Sequence, residues 1–270
     1  MLSEGIHSLV DTSNGLLLLH GIKQSQKEPD SKHPFGYGME VYFWSFIVAL
    51  LVFALGGGVA IYEGIHHLIS PKEVGNPLWN YVVLSLSIVF EGFALFFALK
   101  SFKKSRGKLG FIESIEKSKD AATFAIIIED AAALIGLAIA LAGVILGHIT
   151  GNPYYDAIAS ILIGLLLCSV AIFLAKESKS LLVGEGIKSD DLKEVESILD
   201  NHDHVNQFDV PRTLHFGPSS ALLALDIHFK DHLTTDEIEI TTIEIERQIK
   251  NRKPYIDKIY IESKALKNKT

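Results

Sequence analysis

Cysteine is nearly missing from this 270-residue chain, which contains only Cys168. A single cysteine excludes an intrachain disulfide framework and a cysteine-rich metal site. Charged residues are rare over several long stretches, although the whole chain has a formal net charge of -7 at pH 7. Because cysteine sulfur is nearly missing, a metal ion bound by this chain must depend on oxygen and nitrogen ligands.

The charge-poor stretches form five apolar blocks, each near or above the ~20 residues that span a bilayer core as a helix. Hydrophobic residues make up 48% of the chain and are concentrated in these blocks. The pattern predicts a multi-pass membrane protein with a soluble part. We expect helices at about residues 1–24, 38–69, 78–102, 120–148 and 153–179, within a transmembrane domain of residues 1–183.

Basic residues are nearly missing from alternate connections between the blocks. Only Lys72 lies between the second and third blocks, and "GHITGNPYYD" before the fifth contains none. The positive-inside rule then places the basic segments and the C-terminus in the cytoplasm, and five spans place Met1 outside. The first block resembles no removable signal peptide, and without an evident targeting segment we expect a prokaryotic plasma membrane. The basic residues of the other connections are Lys23, Lys27, Lys32, Lys100, Lys103, Lys104, Arg106, Lys108, Lys117 and Lys119.

The composition becomes mixed and soluble in residues 184–270. Ser189 is expected to begin a capped helix, and Thr234 with Glu237 forms a capping box at the start of another. Strands are predicted near residues 208–215, over "ALLALDIHF" and over "YIDKIYIE". The order αββαβ predicts a small α+β domain, so the expected fold class is an all-α membrane bundle with this domain attached. From Ile187 onward, sixteen acidic residues outnumber twelve basic ones. This part of the chain therefore lacks the excess of basic residues that nucleic-acid binding requires.

Four polar residues share one face of the first block, because Glu4, His7, Asp11 and Asn14 are spaced by three, four and three. A charge at the bilayer centre costs roughly 2.5–3.5 kcal/mol on insertion scales, so such residues usually face the bundle interior and mark ion or proton paths. His7 and Asp11 can direct an imidazole nitrogen and a carboxylate oxygen toward one point. This mixed chemistry suits zinc and similar divalent ions.

The fourth block supplies Glu129 and Asp130, two adjacent acids in an otherwise apolar run. Neighbours on a helix project about 100° apart, so we expect one of them to face the His7 and Asp11 side chains. The pattern predicts a cation site, while interhelical hydrogen bonding is the alternative explanation for these pairs. Glu91 fits either role. Interfacial, capping, surface or strand positions account for Glu63, His66, His67, His202, His204, His215, His228 and His232.

Taken together, these segments resemble the cation diffusion facilitator family of divalent-metal transporters. "EGIHSLVDTSNGLLLLHGI" is similar to the second helix of that family, with its H-x-x-x-D half-site, and "HPFGYG" to the turn that follows. "YEGIHHLISP" is similar to the end of the third helix and "GNPYYDAIASILIGLLL" to the sixth. The tail resembles the family's cytoplasmic dimerisation domain, and "IEDAAAL" is similar to the zinc transporter 9-like subgroup. The resemblance covers essentially the whole chain.

The resemblance implies that His7, Asp11 and Asp130 are transport-site ligands. Family members usually have a further ligand at the position of Ile126, and here either Glu129 substitutes for it or Asn14 or water completes the shell. Further candidates are Asn14 and Glu4 on the first block and His228 in the tail. Since the family has six helices, the resemblance also implies that this chain lacks the first one.

The resemblance further implies a homodimer, assembled through the C-terminal domain in membrane lipid, that exports Zn²⁺ in exchange for protons. Two alternatives remain. One is a non-transporting scaffold or regulator whose metal site is degenerate at Ile126, and the other is a transporter of Mn²⁺, Fe²⁺, Co²⁺ or Cd²⁺. We expect no enzyme activity, because no nucleophile-base constellation or phosphate-binding glycine loop is evident.

Overall fold

The computed structural model describes residues 2–71, 78–106 and 121–264, without the side chains of residues 2–11, 102–106, 121 and 124. The chain forms two compact units. The first comprises Met1–Gln24 and Glu40–Lys179, and the second comprises Ser25–Met39 and Ser180–Thr270.

Long apolar helices build the first unit. Four of them, in the described parts of the chain, are long and apolar enough to cross a bilayer: Glu40–Ile69, Leu78–Ser101, Ala125–Thr150 and Tyr154–Val183. The predicted span at residues 1–24 is helical, but its first side chains lie outside the described set. The helices are α1 (Leu2–Ser25), α2 (Glu40–Leu51), α3 (Val59–Ile69), α4 (Leu78–Arg106), α5 (Ala121–Thr150) and α6 (Tyr154–Val183).

The outer faces of these helices are apolar. On α4 the rings of Phe90, Phe93 and Phe97 are exposed, as is Leu86. Such a continuous apolar surface is unfavourable in water and is expected where a helix meets lipid. The surface therefore agrees with the apolar sequence pattern in identifying a membrane bundle.

A π-helix, Val52–Gly58, joins α2 to α3 within the second span. Beside it, the backbones of the second and fifth spans touch at Gly57 and Gly164. A Cβ on Gly164 would lie 2.8 Å from the Gly57 carbonyl oxygen, and a Cβ on Gly57 would lie 3.0 Å from that of Gly164. In the same way, a Cβ on Gly64 would lie 2.9 Å from the Ala157 carbonyl oxygen. Small residues thus allow two close contacts between these spans.

The second unit contains a four-stranded sheet centred on β3. The strand β4 pairs with β3 in parallel, while β1 and β2 pair antiparallel along the other edge of β3. The single strand predicted near residues 208–215 is two short strands, and Pro211, which has no N–H to donate to a ladder, lies between them. The elements are α7 (Ser189–Asp200), β1 (Val205–Phe208), β2 (Arg212–Gly217), β3 (Ser220–Phe229), α8 (Thr235–Arg252) and β4 (Ile256–Ser263).

Alternation along β3 creates the core of this unit. Leu223, Leu225 and Ile227 are buried with Ile245 and Ile249 of α8. These two isoleucines are four residues apart and so lie on one face of the helix. The resulting α+β domain, with the helical bundle, confirms the predicted fold class.

Of the two predicted helix caps, the one at α8 is confirmed and the one at α7 is wrong. The capping box at α8 is confirmed, because Thr234 Oγ1 accepts from the Glu237 backbone N–H and Glu237 accepts from that of Thr234. Ser189 does not cap α7 as expected. It is the first helical residue, and the preceding Lys188 makes no side-chain cap hydrogen bond. Asp190 and Asp191 occupy the first turn of α7, where negative charge is favourable to the helix dipole.

The connection between α1 and α2, here called the 25–39 loop, packs on the turn between β2 and β3. The Phe35 ring stacks on the Phe216 ring with centroids 4.7 Å apart. Gly38 lies so close to the Phe216 carbonyl that a Cβ there would clash with it. Inside the loop, Asp30 accepts hydrogen bonds from the Tyr37 hydroxyl at 2.7 Å and from the His33 backbone at 2.7 Å. The loop therefore groups with the C-terminal domain.

Candidate metal site

A partly buried hydrogen bond joins α1 to α5. Asn14 Nδ2 donates to Glu129 Oε1 at 2.7 Å, and Asn14 is only 1% exposed. Since α1 carries His7 and Asp11 and α5 carries Asp130, this bond brings together the two helices on which the ligands were predicted. The family resemblance pointed to Asp130 as the ligand of this pair, whereas the bond to Asn14 is made by its neighbour Glu129.

Helix geometry relates the other predicted ligands to this bond. Asp11 precedes Asn14 by three residues on α1, about 4.5 Å along the axis and on nearly the same face. Asp130 directly follows Glu129 on α5. The side chains of Glu4, His7 and Asp11 lie outside the described residues, so their part in the site stays a prediction.

The Asn14 amide has one oxygen that the hydrogen bond does not use. Asn14 Oδ1 is buried and has no hydrogen-bond partner among the side chains that the structure describes. A buried polar atom without a partner costs about 1–3 kcal/mol, and in a folded protein it often marks a place for an ion or water. An amide oxygen next to a carboxylate is also an arrangement that attracts a cation.

Ile126 does not contribute a donor at this site. It lies one turn before Asp130 on α5 and is 36% exposed. An aliphatic side chain has no lone pair for a metal ion. Among the described side chains, Glu129 and Asp130 of α5 offer oxygen atoms close to Ile126, and Asn14 of α1 is bonded to Glu129.

A second polar contact lies near the ends of other spans. His67 Nδ1 is 3.5 Å from Asp156 Oδ2, which links the end of α3 to the start of α6. Nearby in the sequence, His148 at the end of α5 contacts the Tyr81 hydroxyl at 3.2 Å. Sequence reasoning assigned His67 to an interface and did not pair it with Asp156. The signal was weak, because α4 and α5 lie between these two segments in the chain, and the segments have no shared periodicity.

Two histidines of the C-terminal domain, His228 and His204, have ordinary partners. His228 Nε2 is 3.4 Å from Asp231 Oδ1, and His204 Nδ1 is 2.7 Å from Thr241 Oγ1. In the described part of the chain, no three or more His, Cys, Asp or Glu side chains are grouped so as to hold a metal ion. A metal-binding role of His228 therefore stays a prediction.

A polar cluster joins α7 to the end of α8 in the same domain. Asp191 accepts from Lys253 Nζ and from the Tyr255 hydroxyl, both at 2.6 Å. Burial favours a raised pKa for Asp191, but hydrogen bonds from Lys253 and Tyr255 outweigh it and hold that pKa below its ordinary value. For Lys253, burial favours a lower pKa, yet the bonds to Asp191 and Glu194 raise it. Burial, with the bond to Asp191, raises the pKa of Tyr255.

Apolar spans around buried polar side chains, followed by an α+β domain, define a multi-pass membrane protein of the transporter class. Residues 1–183 match the cation efflux transmembrane domain. The chain belongs to the cation efflux, or cation diffusion facilitator, family, which confirms the resemblance drawn from its motifs.

Three relatives show the range of similarity. The chain is 34% identical to the "Proton-coupled zinc antiporter SLC30A9, mitochondrial" of Xenopus laevis over 93% of its length and 46% of that protein. It is 34% identical to "Metal tolerance protein C4" of Arabidopsis thaliana, over 86% of this chain and 51% of that one. "Manganese efflux system protein MneP" of Bacillus subtilis is 25% identical over 96% and 84%. The chain thus spans about half the length of the first two relatives.

Proposed function

We propose that this protein exports a divalent cation, Zn²⁺ foremost, in exchange for protons. The observation that carries the proposal is the partly buried bond between Asn14 and Glu129, which joins the two helices with the predicted ligands. Relatives at 34% identity are named as zinc antiporters, and a more distant one is named for manganese efflux. These names support a metal cargo of this class.

The proposed site consists of His7, Asp11 and Asp130, with Glu129 in place of the donor that Ile126 lacks. Neutral His7 and ionised carboxylates bind the ion on the side where it is loaded. Protonation of His7 competes with metal binding when the site opens to the other side, because a protonated imidazole offers no lone pair. Rocking of one helix group against another around the site then provides alternating access.

The assignment of Asp130 is tested by transport of the whole chain in proteoliposomes. Asp130→Asn keeps the size of the side chain and removes its charge, so we expect metal-driven proton flux to be lost. Ser45→Ala is the matched control, because Ser45 is also buried in a span but its hydroxyl is bonded to Val41 of its own helix. Equal flux in Asp130→Asn and in the wild type rules out the proposed ligand.

A scaffold or regulator without transport is the second candidate, and Ile126 is the observation that favours it. A site lacking one donor binds metal more weakly, and a protein with a dead site shows no metal affinity. Calorimetry on the purified wild type separates the two functions. Heat of Zn²⁺ binding that disappears in Asp130→Asn supports the transporter, while no measurable heat in either protein supports the scaffold.

Orientation and assembly belong to the same proposal. The basic connections after the first and third spans support a C-terminal domain on the cytoplasmic side of a prokaryotic plasma membrane. We propose that this domain pairs two copies in a homodimer. A Cys168→Ser chain with a new cysteine at Ser263 tests the orientation. An impermeant maleimide added to intact cells should leave that cysteine unlabelled, and light scattering of the purified protein should give the mass of a dimer.

A further inference from the structure

Asn14 does more than lie next to the proposed metal site. We propose that Asn14 Oδ1 and the Glu129 carboxylate together form an oxygen-donor pair that contacts the transported ion and admits Mn²⁺ beside Zn²⁺. The inference rests on the proposed function. It adds which ions the site accepts, and it names Asn14 as the residue that determines this.

The orientation of the Asn14 amide provides the first support. Nδ2 donates to Glu129 Oε1, as expected for an ionised carboxylate, which can only accept. Oδ1 is attached to the same carbon as Nδ2, so it is held in the same region of the bundle by that bond. Two oxygen atoms of negative character then share a buried region, and a cation between or beside them offsets their repulsion.

The burial of Asn14 provides the second support. An amide on a membrane helix that only served packing would have both polar atoms bonded, because an unpaired polar atom is costly away from water. Only 1% of Asn14 is exposed, and its Oδ1 lacks a partner among the described side chains. Ser45, also buried in a span, has its hydroxyl fully accommodated by the Val41 carbonyl at 2.8 Å. Asn14 therefore differs from a merely structural polar residue.

The choice of donor atoms sets the cargo. Imidazole ligands favour Zn²⁺ over Mn²⁺, whereas carboxylate and carbonyl oxygens suit Mn²⁺ and other hard ions. At position 126 this chain has an isoleucine, so α5 contributes no nitrogen there. With oxygen from Asn14 and Glu129 instead, the site discriminates less strongly against Mn²⁺.

The experiment measures Mn²⁺ and Zn²⁺ separately on the full chain. Binding of Mn²⁺ is followed by its electron paramagnetic resonance signal, and transport of each ion by flux in proteoliposomes. Asn14→Leu keeps the approximate size of the side chain and removes both polar atoms. We expect the dissociation constant for Mn²⁺ to rise by about tenfold or more, the usual effect of losing a group that supports a metal site, and that for Zn²⁺ to change clearly less.

Two further variants sharpen the result. Asn14→Asp keeps an oxygen at the same place, so it should retain Mn²⁺ binding even where Asn14→Leu folds poorly. Ile126→His restores a nitrogen donor one turn before Asp130 and should shift the preference toward Zn²⁺. Ser45→Ala should leave the ratio of the two dissociation constants unchanged.

The possible outcomes separate this inference from the proposed function. Equal losses for both ions in Asn14→Leu, or no loss for either, overturn the role of Asn14 in selectivity. An unchanged ratio of the Mn²⁺ and Zn²⁺ dissociation constants in Ile126→His overturns this role as well. Wild-type protein that binds Mn²⁺ through Asn14 but moves neither ion would overturn the proposed transport and leave the inference about the site standing.

Discussion

Gly57 and Gly164 bring the backbones of the second and fifth spans into direct contact. Each glycine lies where the Cβ of any other residue would meet the carbonyl oxygen of its partner, at 3.0 and 2.8 Å. The contact lies at the C-terminal end of the π-helix Val52–Gly58. Single π turns inside α-helices occur often at functional positions, and here the π segment coincides with the tightest crossing described.

Substitution of Gly164 by alanine is expected to destabilise the bundle. The new Cβ would lie 2.8 Å from both the Gly57 carbonyl oxygen and the Ile61 backbone nitrogen, so the two spans must separate. Overpacking of this kind costs about 1–3 kcal/mol. Tryptophan fluorescence during thermal unfolding in detergent measures the effect, because Trp44 and Trp79 lie in the bundle. Gly92→Ala is the control, since a Cβ there has open space, and equal unfolding temperatures for both variants would contradict the expectation.

The Asp191 cluster predicts that the C-terminal domain loses stability at both ends of the pH range. The pKa of Asp191 is lowered in the folded state, so its contribution is present above the unfolded value of about 3.9 and is lost as pH falls through the folded value. The pKa of Lys253 is raised, so its contribution is present below about 10.4 and is lost as pH rises through the folded value.

Asp191→Asn isolates the acid-side effect. The amide retains the shape of the side chain but removes the charge, and we expect a loss of about 1–3 kcal/mol near neutral pH because Lys253 and Tyr255 lose a charged acceptor. Hydrogen exchange of α7 and α8 peptides at several pH values measures it in the full chain. The variant should show a smaller further loss of protection in acid than the wild type. Parallel acid profiles for the two proteins would count against the assignment.

Phe35→Ala is expected to loosen the 25–39 loop. The stacked Phe35 and Phe216 rings are worth about 0.5–1.5 kcal/mol beyond their buried area, which corresponds to roughly a twofold to thirteenfold loss of protection. Hydrogen exchange should therefore rise in residues 25–39 and in the turn between β2 and β3. Phe35→Tyr retains the stacked ring and should exchange like the wild type. An increase confined to α8 would show that the stack does not hold the loop.

Thr234→Ala is expected to fray the start of α8. The variant removes the Thr234 hydroxyl, which accepts from the Glu237 backbone N–H, and leaves that donor without its cap. Amides in the first turn should exchange about fivefold faster, in line with typical cap losses. Thr234→Ser retains the hydroxyl and serves as the control. Unchanged exchange in Thr234→Ala would mean that the cap contributes nothing measurable.

Local sequence patterns predicted those features that depend on a single segment of the chain. The apolar blocks predicted the membrane helices because span length and hydrophobicity are properties of one segment. The Thr234 and Glu237 spacing predicted the capping box for the same reason. The bond between Asn14 and Glu129 was outside the reach of such patterns, although the spacing of Asn14 from His7 and Asp11 placed it on the correct face of α1.

Other features depend on contacts between distant parts of the chain. Nothing in "HPFGYG" indicates that Phe35 stacks on Phe216, since the partner surface is formed only when β2 and β3 fold. The expected strand is divided at Pro211 into β1 and β2, which pair with different parts of β3. The sequence of this segment alone does not reveal that pairing. The pairing of His67 with Asp156 likewise follows from the Gly64 and Ala157 contact, which a reading of either segment alone does not reveal.

The contact between Phe35 and Phe216 also has a consequence for synthesis. About 180 residues separate the two rings, so at 5–20 residues per second the ribosome completes Phe216 roughly 10 to 40 s after Phe35. Four further spans are made during that interval, while the 25–39 loop has no sheet to pack against. The loop is therefore translated well before the surface on which it packs. A ribosome that stalls before β2 leaves Phe35 exposed for as long as the nascent chain survives.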